Sequence, residues 1–308
     1  MYKLRRPLLL TAIIALLHSC NTSQSGTEDL SLKVHAGNGS KYQYTITTES
    51  ISEEEVEAKK TRTKNGAELN LLYECTKDSA DGTHFDVTYE KMKLFMGSGI
   101  KATELDVATA IENAPPQNRY INAFDHAKLN AVISASGKVK QINGIKSITD
   151  KMYEIAATNV DALDDIKNTW DNDIGKFYFE KTIQYAFALL PDSAVKTGVG
   201  WVANSSVTVA GIELPVVIKY TLTAIKNDKA FIDVNAEILS ENETKEIQGV
   251  DVVINLKGSQ KGTIVLNTNT GMVIESENKM LVKGTMQVKS TNIDLNCSNT
   301  VKIKGRKL

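Results

Sequence analysis

The chain has 308 residues, three of them cysteine, with 42% hydrophobic side chains and a formal net charge of −1. That length suits one large domain or two small ones, with apolar residues enough to bury a core. The balanced charge and the lack of any basic-aromatic cluster argue against nucleic acid as a partner.

Lys3, Arg5 and Arg6 precede an apolar run from Leu8 to Leu17. The run is about half of the roughly 20 residues that a spanning helix needs, so residues 1–19 read as an export signal. It ends in "LLHSC". There Leu17, His18, Ser19 and Cys20 resemble a bacterial lipoprotein box: an aliphatic residue, two variable positions, then cysteine, with His18 an unusual occupant. The resemblance implies an acylated Cys20 as the first mature residue, anchored in a bilayer at about 0.8 kcal/mol per buried methylene. Cleavage takes the basic count from 36 to 33 against 37 acidic residues, a net charge near −4. Residues 20–33, opening with "NTSQSG" after the cysteine, are polar and read as a flexible tether.

From residue 34 to 308 a single β-rich domain is expected. Tyr42, Tyr44 and Ile46 alternate with polar residues, as do Met280, Val282, Met286 and Val288. One-sided alternation argues for antiparallel strands with one covered face. The charged run "SEEEVEAKK", 52–60, reads as a solvated strand edge or loop. A short helical pattern near Glu104–Asn113 stops at Pro115–Pro116. In 147–170, Met152, Ile155, Ala156, Val160, Leu163, Ile166 and Trp170 recur at helical steps. Ser147 and Asp150 suggest a capping box there, and a second helix is expected from Ile174 to Leu190, before Pro191.

The strand-rich parts on either side resemble each other. "YECTKDSADGTHFDV" from Tyr73 and "YTLTAIKNDKAFIDV" from Tyr220 share a leading Tyr, a polar turn and a closing Asp-Val. "KLNAVISASGKV", 128–139, parallels "GTIVLNTNTGMV", 262–273. These matches suggest an internal duplication, about 36–145 and 195–305, around a helical middle, 147–190. The expected class is therefore α+β: an antiparallel sheet, curved or half-barrel, in two related halves with helices inserted between them.

"GSKYQYTITTES", "LLPDSAVKTGVGW" and "GTIVLNTNTGMVIES" resemble an uncharacterised lipoprotein family of Bacteroidetes-type bacteria, a domain of unknown function, over nearly the whole mature chain. The middle motif carries most of the likeness, with Val195, Gly198 and Trp201 at the family's spacing. Gly198-Val199-Gly200-Trp201 stands where the family usually has Gly-Asp-x-Trp. The resemblance implies outer-membrane attachment, periplasm-facing or at the cell surface, and no activity. "DSA" at Asp78–Ala80 and Asp192–Ala194 matches the short O-glycosylation motif of that bacterial group, making Ser79 and Ser193 candidates.

Catalytic signatures are lacking: His35, His84 and His126 have no paired-ligand spacing, and no nucleophile elbow or phosphate loop occurs. No enzyme activity and no cofactor are expected. Cys75 and Cys297 both share parity with aliphatic neighbours and should point inward. They are either two separate buried thiols or a disulfide between the chain's halves. Trp201 is either a core plug or a ligand-stacking aromatic. Two functions remain: binding of an amphipathic or hydrophobic ligand in an apolar pocket, or interaction with another envelope protein. A cavity of a few hundred Å³ would favour the first, and a filled core with an exposed apolar patch the second.

Overall fold

In the computed structural model the described residues are 29–98, 101–106, 116–157, 163–164, 167, 170, 173–210, 212–247 and 250–308. The lipoprotein box, with Cys20, lies outside them.

The strands are β1 (Lys41–Val56), β2 (Lys59–Ser79), β3 (Gly82–Ser98), β4 (Lys101–Asp106), β5 (Lys128–Ile133), β6 (Val139–Asn143), β7 (Gly200–Val209), β8 (Ile212–Lys226), β9 (Lys229–Ile247), β10 (Val250–Asn267), β11 (Val273–Val288) and β12 (Thr291–Lys307). Between β4 and β5 lies a 3₁₀ helix, Pro116–Phe124. Helices α1 (Ile145–Ala156) and α2 (Asp173–Gln184) lie between β6 and β7. All strands join one antiparallel sheet in the order β6-β5-β3-β2-β1-β12-β11-β10-β9-β8-β7, with β4 paired to β3 off this path.

This overturns the α+β expectation. The molecule is nearly all β, and its helices do not divide two sheets. The two strand-rich parts fuse because β1 and β12 pair over fourteen positions, from Tyr42↔Lys307 to Glu55↔Asp294. Pairing two long alternating strands satisfies their backbone groups more fully than docking separate sheets would. Among the described residues the sheet is not closed: β6 has only β5 beside it, and β7 only β8.

Within this one sheet the hairpins β2–β3 and β8–β9 are built alike. Tyr73 pairs with Val87, and Tyr220 with Val234. Thr76 and Thr223 each bulge out three residues later, and their hydroxyls donate to His84 O (3.4 Å) and Phe231 O (3.0 Å). The next strands pair equivalently, Thr83↔Ile133 and Ala230↔Leu266. The turn before Val273 is one residue longer than that before Val139, so the equal-length match slips by one there.

Helix boundaries differ from expectation. Residues 101–106 form β4, with Leu105 opposite Leu94 and Glu104 opposite Phe95, so edge pairing wins over a short helical pattern there; 107–113 lie outside the described residues. α1 starts after Gly144, whose φ of 95° turns the chain out of β6, with no side-chain cap. Asp150 instead pairs with Lys146 at 2.7 Å. α2 ends at Gln184 rather than Leu190, because Phe187 is drawn into a bridge with Met272.

The charged run forms the tip of the β1–β2 hairpin. Glu57 and Ala58 take positive φ at the turn, and Lys60, Arg62 and Lys64 face Glu55, Glu53 and Glu49 across it. The expected tether is shorter than 20–33. Leu32, Val34 and Ala36 are buried, and Leu30 exchanges both backbone hydrogen bonds with Val195. The alternation that buries β1 thus already begins at Leu30.

One core lies where the concave face of β1–β3 meets the helices. Tyr73 packs edge-on against Tyr44 (5.2 Å), Phe85 (6.0 Å) and Phe187 (5.9 Å), and its hydroxyl donates to Ile183 O at 3.2 Å. Phe124 and Phe179, with Trp170 and Tyr178 packed beside them, form a second aromatic cluster under the helices.

The parity of the cysteine strands is as read. Leu71, Tyr73, Cys75, Leu295 and Cys297 are buried and Ile293 half-buried, while Asn292, Asp294 and Asn296 are exposed. Cys75 and Cys297 are free thiols. The bridge left open by the sequence is not formed, because β1 lies between their strands. Cys75 N bonds to Ser40 O at one end of β1, whereas Cys297 faces Ser52. Twelve residues at about 3.3 Å each put them ~40 Å apart, far beyond the roughly 7 Å limit. Burial pushes both thiols up in pKa, which slows reaction with thiol reagents further. Non-reducing peptide mapping should therefore find both residues unbridged, with Cys75 labelled only after unfolding. A mapped Cys75–Cys297 bridge would contradict this strand order.

Candidate functional site

The sheet curls enough that β2 and β7, seven places apart in strand order, face the same space. Between them lies a cavity of about 600 Å³. α2 spans it: the Tyr73 hydroxyl on β2 holds Ile183 O, and Lys181 Nζ donates to Ser206 O on β7 at 2.9 Å. At the end of α2, the Gln184 side chain donates to Gly137 O (2.7 Å) and Phe187 O (3.1 Å), fixing the turn that leads into the 187–195 segment.

Register assigns the walls by level. One level runs Leu69, Ile46, Ile303, Ser276, Ile264 through successive pairs. The next runs Ala67, Thr48, Val301, Asn278, Gly262. A third runs Asn65, Ser50, Asn299, Met280, Gln260. Apolar side chains dominate nearest α2, and amides and hydroxyls collect two levels away. On the opposite wall Tyr178, Tyr185, Phe187, Ile218 and Tyr220 are apolar in body.

The polar wall is incompletely satisfied. The Asn278 Nδ2 donates to Ser276 Oγ at 2.8 Å, but the buried Oδ1 atoms of Asn278 and Asn299 have no partner among the described residues. Buried acceptors normally find donors, so this end of the cavity wall, with Ser50, Asn65, Asn278 and Asn299 on it, is polar and incompletely paired. Burial pushes the Tyr220 phenol up to about 12, and Tyr178 and Tyr185 also upward. These three phenols are therefore neutral at physiological pH. Burial lowers Lys181, opposed by the nearby Glu213 and Glu180 carboxylates.

Trp201, a candidate from the sequence, is half-buried, stacked on Tyr220 at 5.4 Å and donating Nε1 to Leu189 O at 2.9 Å. It occupies the position on β7 that Tyr42 holds on β1, opposite Tyr220 as Tyr42 is opposite Tyr73. Its indole bonds to the 187–195 segment, and its partner Tyr220, rather than Trp201 itself, lines the cavity. Cys75 Sγ donates to Ala36 O at 3.0 Å and Cys297 Sγ lies 3.4 Å from Ser52 Oγ; neither lines the cavity. Ser193 is exposed in a bend, whereas Ser79 is half-buried and donates to Gly82 O. The cavity residues Thr48, Ser50, Asn278 and Asn299 were missed from sequence.

Among the described residues no three His, Cys, Asp or Glu side chains converge as a metal site, and no helix is long and apolar enough to cross a membrane.

Among solved structures, lipovitellin, described for its lipid-protein interactions, is similar at 9% identity and a TM-score of 0.47, over 87% of this chain and 25% of its own. The chain thus spans a quarter of that protein. An outer-membrane channel from Pseudomonas putida F1 is similar at 7% identity and a TM-score of 0.23, over 88% of this chain and 97% of its own. The translocator domain of the autotransporter NalP from Neisseria meningitidis follows at 8% and 0.20, over 87% and 89%. At these scores no property passes to this chain. No curated protein matches it. Residues 80–273, more than half of the sequence, match the family of unknown function DUF6263, and the chain belongs to that family.

Proposed function

We propose that this protein carries a single-chain amphipathic ligand in the concave cavity while held at the envelope by an acylated Cys20. The cavity is the observation that carries the reading. Its 600 Å³ lies within the roughly 300–1,000 Å³ of small-molecule sites. At roughly 30 Å³ per water-sized group it takes about 20 heavy atoms, one acyl chain rather than two. The apolar level near Leu69, Ile264 and Ile303 suits the chain, and the hydroxyl and amide side chains of Ser50, Asn65, Asn278 and Asn299 suit its polar group. In this reading the protein binds and does not catalyse.

An interaction protein would instead offer a contiguous apolar face. The exposed Val202, Val217, Leu239 and Leu281 are interspersed with Lys219, Lys257 and Lys261 on the convex side, which supports binding inside the sheet over docking outside it. The polar box-to-body segment supports an outer-membrane, periplasm-facing anchor, and the exposed Ser193 supports glycosylation there. The matched hairpin registers support an origin by internal duplication, about 36–145 and 195–305.

Native mass spectrometry of the full chain from its own host tests the reading. One single-chain amphiphile per protein is expected. A bare chain after gentle extraction, with no uptake of added fatty acid, would overturn it.

A further inference from the structure

The hairpin β8–β9 departs from its counterpart at one place. In β2–β3 the ladder passes Leu71↔Tyr89, bulges, and then continues from Asn70↔Lys91 to Thr63↔Ser98. In β8–β9 it reaches Ile218↔Ala236, the equivalent pair, and stops. Both strands go on, β8 back to Ile212 and β9 forward to Ile247, but each follows its other neighbour. Pro215 sits in the parted stretch of β8 and brings no N–H to a ladder. Four residues along β8, roughly 13 Å at strand rise, Lys245 Nζ reaches back from β9 to Glu213 O at 2.8 Å. The gap is therefore a slot with two ends.

A groove of about 960 Å³ occupies this slot, and Val217 and Leu239 line it from the outside. Both are more than half exposed, at 56% and 63%. Ser205 and Gln260 are walls of this groove and of the concave cavity alike. A sheet that is otherwise continuous from β6 to β7 thus parts beside the cavity, with apolar lips.

We propose that the slot between β8 and β9 is the portal through which the ligand enters and leaves the cavity. This rests on the cavity being the ligand site. An amphiphile passing there slides its chain between Val217 and Leu239 and meets Ser205 and Gln260 before the interior amides. A path of this kind sets rates and leaves equilibrium affinity alone.

The test uses the full-length chain carrying Cys20→Ala, with cis-parinaric acid as probe. Val217→Cys with Glu237→Cys, the first positions past the ladder's end, forms a crosslink over the slot. Thr221→Cys with Asp233→Cys, a pair inside the ladder and away from the groove, is the control. Oxidation of the slot pair should slow both uptake and release at least about tenfold, with affinity within about twofold, and reduction should restore both. The control pair should change neither. If the slot pair fails to fold by circular dichroism, the single Val217→Cys with a bulky maleimide adduct gives the same readout on the native backbone. Unchanged rates in the oxidised or adducted protein would overturn the portal alone. Failure of the reduced protein to take the probe would overturn the cavity reading, and the portal with it.

Discussion

Tyr73→Ala is expected to destabilise the fold by about 3–5 kcal/mol, the range for truncating a large buried aromatic. Tyr73 is fully buried, and three rings meet its edges or faces within 6.0 Å. The edge-on pairs each add about 0.5–1.5 kcal/mol beyond area alone. Tyr73→Phe isolates one component. It keeps the ring contacts and leaves Ile183 O, at the end of α2, without its 3.2 Å donor. That loss should cost about 0.5–1.5 kcal/mol, because Ile183 O keeps the Ala186 N–H at 3.3 Å. Urea unfolding of both variants checks the order Ala, Phe, wild type in rising stability. An alanine variant within 1 kcal/mol of wild type would mean that the aromatic centre is not packed as described.

Val301→Trp is expected to weaken fatty-acid binding at least tenfold, about 1.4 kcal/mol or more. Val301 is half-buried on β12 and faces the cavity next to Asn278, its β11 partner. An indole there fills open space rather than packed core, so overpacking should cost less than the 1–3 kcal/mol seen in dense interiors. Binding should fall while the unfolding midpoint moves little. Equal loss of both would point to disruption of the sheet, and undiminished binding would place the ligand elsewhere.

Strand parity was legible because alternation is local. Leu71, Tyr73 and Cys75, or Leu295 and Cys297, announce their face without any partner strand. The likeness of the hairpins was legible for the same reason, down to the threonine that bulges in each. The cavity was not. Thr48, Ser50 and Asn299 read as polar interruptions of separate strands. Only the non-local registers Ser50↔Asn299 and Thr48↔Val301 bring them onto adjoining levels. The merging of both parts into one sheet depends on that same β1–β12 pairing, which joins the two ends of the domain. Helical spacing was legible at Met152, Ile155 and Ala156 on α1, while Val160 and Ile166 lie outside the described residues; spacing says nothing of whether helices form a layer or lie inside a curled sheet. The end of α2 was misjudged because Phe187 answers to Met272, far along the chain. Pro215 in "IELPVVIKY" was a readable sign of the parted strand, since a proline in a paired central strand is rare.

Fluorescence titration of the lipid-stripped, full-length Cys20→Ala chain with cis-parinaric acid tests the central claim most directly. The account predicts saturable uptake at one probe per chain, displaced by unlabelled single-chain fatty acid and weakened at least about tenfold in Val301→Trp. Linear, unsaturable uptake, or saturation that Val301→Trp leaves unchanged, would contradict a ligand site between α2 and the curled sheet.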